Sequence, residues 1–227
     1  MSTLSPQDFN YIRDLVRRHS AIVLDPDKAY LIETRLAPLA RQTGFESLRE
    51  LIASLRIAPG DGLHTKVVEA MTTHETSFFR DSHPFETLRA AILPGLIAKR
   101  PPGQNLAIWC AACSSGQEPF SVAMLAHEHF PELVKGRLRI IATDLSGAVL
   151  ARARAGLYTQ IEINRGLPAA LLTRYFDKQG LSWRLKSEIR RMVDFRQNNL
   201  VEAWPHLPAL DVVLMRNVLI YFGQDTK

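Results

Sequence analysis

The sequence predicts an α/β protein, with a doubly wound parallel sheet, an all-helical N-terminal domain before it and a small antiparallel β flap. Three observations carry this. Apolar runs at Leu106–Cys110, Arg139–Asp144, Met192–Phe195 and Asp211–Met215 alternate with stretches of helical periodicity. Residues 1–72 show helical periodicity throughout. Between Tyr175 and Val193 the composition changes, with Trp183, Leu185 and Ile189 set among cations.

In the N-terminal part, Ser5-Pro6-Gln7-Asp8 reads as a helix start, with a capping serine, proline in the first turn and an acid beside it. Phe9, Ile12, Leu15 and Val16 follow at helical spacing. Asp25-Pro26-Asp27 repeats the signal ahead of Leu31, Ile32, Leu36 and Leu39, and Gly44 is a stop. Further helices are expected from about Glu46 to Arg56 and from about Leu63 to Met71. The expected divisions are a bundle over 1–72, a linker and helix over 73–104, and a sheet domain over 105–227 with its flap at about 176–193. The linker opens with a polar block, Met71–Asp81 (MTTHETSFFRD), whose Thr, Ser and His suggest a segment that lines something. A helix carrying Phe85, Leu88, Ile92 and Leu96 follows it.

Asn105–Met124 is the centre of the chain. Leu106–Cys110 is a strand, Ala111–Gly116 are all small, and Gln117 opens a helix. Such a turn at the carboxyl end of a parallel strand lets a flat polar ligand approach the backbone. Pro119 lacks the N–H that a capping box begun at Ser115 would need, so the helix is expected to start after Gly116, which frees Glu118 to meet a cationic ligand group. Asp144 ends the second strand, where an acid accepts from ribose hydroxyls; it could instead cap the helix near Ser146. No G-x-x-x-x-G-K or G-x-G-x-x-G is present, which is compatible with a cofactor lacking phosphates, such as S-adenosylmethionine.

With 227 residues, 46% of them hydrophobic and 22% charged, the chain can bury a full core. It has no apolar run of membrane-span length and no signal peptide, so a cytoplasmic protein with no direct membrane insertion is expected. Cys110 and Cys113 form a C-x-x-C with no second ligand pair, so no metal site is expected and redox chemistry is a minor reading. The net charge is +5. Its densest source is Arg184, Lys186, Arg190, Arg191 and Arg196, a docking face for an acidic protein or a solvated face. Aromatics do not interleave with these cations as in a single-strand groove, so nucleic acid is not an expected partner. Because the last strand is followed almost at once by Lys227, the C-terminal end is expected to be truncated or its edge strand exposed.

Taken together and in order, Met71–Asp81, WCAACSSGQEPFS from Trp109, ATDLS from Ala142, NNL from Asn198 and RNVLIYF from Arg216 resemble the CheR family of chemotaxis receptor glutamate methyltransferases. The resemblance implies a class I, Rossmann-like methyltransferase domain. It also implies transfer of a methyl group from S-adenosyl-L-methionine to glutamates on the cytoplasmic helical region of membrane chemoreceptors, with S-adenosyl-L-homocysteine as product. Carried onto this chain, Thr76, Arg80, Glu118, Asp144, Asn199, Leu200, Asn217 and Val218 match cofactor-contacting positions, and His74 stands where many relatives have Asn. Arg80 and Tyr221 are the candidate catalytic residues. Arg80 could hold a substrate carboxylate bidentately, or form an interdomain ion pair with Asp81 or Glu75. The stretch Tyr175-Phe176-Asp177-Lys178-Gln179-Gly180 has one glycine, where relatives that tether to a receptor pentapeptide carry a glycine-rich insertion after the Tyr-Phe pair. Receptor recognition is therefore expected to be pentapeptide-independent, by a monomer. A departure at His74 leaves open a cofactor-binding signalling module with weak catalysis. A nucleic-acid methyltransferase is disfavoured because Asn217-Val218-Leu219 is not an Asn/Asp-Pro-Pro-aromatic turn.

Overall fold

The computed structural model describes residues 4–57, 62–101, 103–204 and 207–227, and they divide into two compact units. The first unit holds the residues up to Thr73 together with Asn217–Lys227. Its helices are α1 (Pro6–Ser20), α2 (Ala29–Gln42), α3 (Leu48–Ile57) and α4 (Gly62–Met71). Ser5 caps α1 by accepting from the Asp8 N–H at 3.1 Å, with Pro6 in the first turn. The second start signal opens a short 3₁₀ turn, Pro26–Lys28, which leads into α2. Ile12, Leu15, Ile32, Leu36, Leu51 and Leu55 are buried in one core, each contributing roughly 1.5–3 kcal/mol. Arg35 donates to the carbonyls of Met71 at 2.6 Å and Thr72 at 3.0 Å, neutralising the carbonyl end of α4. Residues 217–227 pack within this unit. Ile22 bridges Phe222, the Val23 N–H donates to the Tyr221 carbonyl at 3.0 Å, and Arg17 pairs with Asp225.

The second unit, His74–Arg216, opens with the irregular segment 74–82. α5 (His83–Thr87) then runs through one π turn, Leu88–Ile92, into α6 (Leu93–Lys99). The sheet begins with β1 (Leu106–Ala111), α7 (Gln117–His129), α8 (Pro131–Val134), β2 (Leu138–Asp144) and α9 (Gly147–Ala155). The flap region comprises β3 (Leu157–Thr159), α10 (Gln160–Asn164), α11 (Ala169–Tyr175), β4 (Phe176–Gln179), β5 (Ser182–Leu185) and α12 (Ser187–Arg190). β6 (Val193–Gln197) and β7 (Val212–Leu214) complete the parallel sheet, whose order is β6-β2-β1-β7. β1 is the pivot: the chain builds outward to β2 and β6 on one side, then returns to β7 on the other. Ile108 is accordingly in register with both Ile140 and Val212. The carboxyl ends of β1 and β7 form the switch point, where open α/β sheets bind ligands.

Two local differences from the sequence expectation have physical causes. In α7 the sequence sets Phe120, Met124 and Leu125 on one apolar face, but all its residues from Pro119 to Ala126 are buried, because α5 and α12 cover the sides that the sheet leaves free. The flap gains a third strand, β3, paired with β5 in the order β3-β5-β4. Three residues are too few to show a period of two. Much of the basic excess is absorbed locally: Arg154 donates to the Phe195 carbonyl, Arg184 to Ala155 and Arg190 to Leu185, at 2.7, 3.2 and 3.0 Å.

Candidate active site

The turn after β1 is held from two sides. Ala112 and Ser114 adopt left-handed backbone at φ 53° and 50°, which costs on the order of 1 kcal/mol each in a non-glycine residue. Gly116 lies at φ 92°, and a Cβ there would meet Ala153, Phe120 and Phe195 at 3.0–3.3 Å, so only glycine lets α7 start this close to α9 and β6. From the sheet side, the Cys113 N–H donates to the Thr143 carbonyl and the Ser114 N–H to Asp144 Oδ2, both at 2.8 Å. From the flap side, the Tyr158 hydroxyl donates to the Ser115 carbonyl at 2.8 Å. Asp144 Oδ1 accepts from the Ser146 N–H at 3.0 Å, and Ser146 in turn caps α9. The capping alternative for Asp144 is therefore realised in part, with a backbone N–H on each of its two oxygens.

Glu118, in the first turn of α7, is not free. Arg216, just beyond β7, donates to its Oε2 at 2.9 Å, and both side chains are largely buried, 13% and 16% exposed. Burial pushes the Glu118 carboxyl up to about 7, against the pull of Arg216 and, more weakly, of Arg80. Arg216 also donates to the Arg80 carbonyl at 2.6 Å and to Asp81 Oδ2 at 2.9 Å, and its guanidinium lies 5.4 Å from the Phe85 ring centre. Sequence reasoning missed Arg216. Its signal was a cation directly after the strand that returns to the pivot, the position where a switch-point ligand carrying a carboxylate would be met.

The segment 74–82 wraps against this centre. Ser114 Oγ donates to the His74 carbonyl at 2.9 Å, the Phe79 N–H donates to Ser121 Oγ at 2.9 Å, and Phe79, Asp81 and Ser82 all have positive φ. Phe78 is fully buried and meets Tyr158 and Phe176 of the flap edge-on, with ring centres 5.0 and 5.7 Å away. Thr76 is half-buried in the same segment. The ion-pair alternative for Arg80 is not what forms: its guanidinium donates to the Glu75 carbonyl at 3.0 Å and pairs with no carboxylate among the described residues. The Glu75 carboxylate is taken by Arg165 and that of Asp81 by Arg216.

Asn199 turns back on its own loop, its Oδ1 accepting from the Val201 N–H at 3.3 Å and its Nδ2 donating to Glu202 at 2.8 Å. Leu200 packs against Trp109, Ala111 and Ile141 on the second face of the sheet. Its neighbour Asn198 is buried, and its Nδ2 has no hydrogen-bond partner among the described residues. Asn217, Val218 and Tyr221 belong to the first unit. Tyr221 sits in a 3₁₀ turn, Leu219–Tyr221, rather than at the end of the last strand, which stops at Leu214. Cys110 and Cys113 are free and buried, and burial pushes both thiols well above their ordinary range. They stay protonated, which removes the thiolate a redox pair needs. Among the described residues no cluster of His, Cys, Asp and Glu could hold a metal, and no helix is long and apolar enough to cross a membrane.

A parallel sheet of this order with an acid at the tip of β2 is Rossmann-like, and the match of residues 74–227 to a SAM binding domain makes it an S-adenosylmethionine-dependent methyltransferase of the class I fold. The family is shown by comparison. Residues 74–227 match the model of the CheR methyltransferase, SAM binding domain, and residues 7–72 that of the CheR methyltransferase, all-alpha domain. The chain belongs to the CheR methyltransferase family. It is 43% identical to chemotaxis protein methyltransferase Cher2 of Pseudomonas putida and 45% identical to chemotaxis protein methyltransferase 1 of Pseudomonas aeruginosa; each alignment covers 97% of this chain and 81% of the relative. Identity to chemotaxis protein methyltransferase 1 of Vibrio cholerae is 37%, over 99% of this chain and 82% of that protein.

Proposed function

We propose that this enzyme methylates glutamate side chains in the cytoplasmic helical region of chemoreceptors, giving glutamate methyl esters and S-adenosylhomocysteine. The observation that carries the site is the Glu118–Arg216 pair, a buried carboxylate and guanidinium facing the switch point. An amino-acid tail bears the complementary charges, so its ammonium suits Glu118 and its carboxylate suits Arg216 or Arg80. Asp144, an acid at the tip of β2, suits ribose hydroxyls, and the Asn198 Nδ2, which has no partner among the described residues, suits an acceptor on a base. The residues present therefore fit the cofactor. His74, Thr76, Asn199 and Leu200 are proposed as further contacts, and the roles of Asn217, Val218 and Tyr221 rest on sequence resemblance alone.

When bound, S-adenosylmethionine supplies an electrophilic methyl carbon on a sulfonium sulfur. The receptor glutamate, with an ordinary pKa of about 4.3, is ionised at neutral pH, so the protein need not supply a general base. What the chain must do is hold a carboxylate oxygen in line with that carbon and thin the water around both charges, which are cancelled as the ester forms. Arg80 is the proposed holder of the substrate carboxylate, since among the described residues its fork carries one hydrogen bond to a carbonyl and no acidic partner. The turn between β4 and β5 is only Gly180-Leu181, which supports recognition without a receptor pentapeptide. Buried, reduced cysteines fit a cytoplasmic enzyme.

Incubation with methyl-labelled S-adenosylmethionine and receptor-bearing membranes should yield base-labile label on the receptors. Binding of S-adenosylhomocysteine without any such label would identify a signalling module instead. In calorimetry, a peptide ending in the receptor pentapeptide should give no measurable heat of binding.

A further inference from the structure

The turn after α10 presses on the segment that carries Thr76 and Arg80. Arg165 pairs with the Glu75 carboxylate. Gly166, at φ 88°, lies so close to the Phe78 backbone that a Cβ on it would run into the Phe78 carbonyl oxygen. Among the described glycines this is the closest approach of a backbone atom. Phe78 is also the residue whose ring is locked between Tyr158 and Phe176, and the next N–H, that of Phe79, is spent on Ser121. The segment is thus gripped at Glu75 and Phe78 from the flap side and at Phe79 from α7. Arg80 follows immediately, with its own side chain folded back onto the Glu75 carbonyl.

We propose that Arg165 and Gly166 are positioning residues: the α10–α11 turn is a clamp that sets the height of the 75–80 segment and, through it, the placement of Thr76 and Arg80. Gly166 supplies the closeness, because any side chain there displaces the Phe78 carbonyl whatever rotamer it adopts. Arg165 supplies lateral register, as a half-exposed pair that orients more than it stabilises. This inference rests on the reading of Thr76 and Arg80 as cofactor and substrate contacts.

Gly180 provides an internal control. It also has positive φ, at 58°, in the same subdomain, but a Cβ there meets nothing within 4 Å. Gly166→Ala and Gly180→Ala therefore carry the same kind of backbone strain, and only the first pushes on the segment. The full chain is measured for hydrogen exchange over residues 75–82 without ligand, and for S-adenosylhomocysteine affinity by calorimetry. Gly166→Ala should speed exchange in that segment and weaken affinity about tenfold, with Gly180→Ala at wild-type values for both even where the two lose similar thermal stability. Arg165→Glu should weaken affinity a few-fold, and Arg165→Glu with Glu75→Arg should recover it. Unchanged exchange in Gly166→Ala, or equal affinity loss in Gly180→Ala, overturns the clamp. Faster exchange with unchanged affinity overturns the positioning role; if Arg80→Ala also binds normally in that case, the fault lies in the reading of the segment as a contact.

Discussion

Two carboxylates stand beyond the carboxyl ends of neighbouring strands, one ending β2 and one in the first turn of α7, and the protein satisfies them by different means. Asp144, at the end of β2, is held by backbone N–H groups of Ser114 and Ser146, donors that no side-chain substitution elsewhere can remove. Glu118, beyond β1, is held by one side chain, Arg216, that arrives from the far end of the unit's sequence. The first arrangement is built into the turns and is not exchangeable. The second is a side-chain ion pair under partial burial, whose charges can be re-partnered by a ligand of matching charge. A carboxylate fixed by the backbone suits a neutral hydroxyl added to it. One fixed by a movable cation suits a zwitterionic tail.

The sharpest way to break this contrast is to remove Arg216. Arg216→Met strands Glu118 in a buried site and should cost about 3 kcal/mol of stability at pH 8 in urea unfolding. The Glu118 pKa is already raised above its unfolded value, so the folded state holds that proton more tightly. The penalty belongs to the ionised form, and at pH 6 the loss should be clearly smaller. A loss independent of pH would show that Glu118 is not the group left stranded. Next in size, Glu118→Gln should weaken S-adenosylmethionine binding by about 2 kcal/mol, roughly thirtyfold, in calorimetry.

The wild-type pH profile follows from the same value. The ammonium of the ligand needs ionised Glu118, so below about pH 7 affinity should fall towards tenfold per unit, and Glu118→Gln should abolish that slope. An unchanged slope in that variant would assign the titration to another group. The smallest effect concerns the cysteines: with both thiols buried and protonated, neither should react with a thiol reagent in the native protein, and Cys113→Ala should retain methyl transfer.

Much of the fold was legible because its signals are local. Ser5-Pro6 announces α1, Gly116 and Pro119 together set the start of α7, and Gly156 closes α9 in left-handed backbone at φ 59°. The placing of Asp144 at the end of β2 and of Glu118 in the first turn of α7 was legible for the same reason. What escaped was short or distant. β3 has three residues, and the π turn at Leu88–Ile92 has no sequence mark.

The sequence by itself determined the helices of residues 1–72, the four strands of the parallel sheet and the starts of α7 and α9; these depend on caps, periodicity and proline chemistry acting over a few residues. Only the tertiary structure decided that Glu118 is paired, that Arg80 is not, and that the α10–α11 turn grips the 75–80 segment. Arg216 meets Glu118 across 98 residues and Arg165 meets Glu75 across 90. Nothing in either local sequence names its partner, because the pairing is set by the parallel sheet that returns β7 to β1 and by the close approach that a glycine permits.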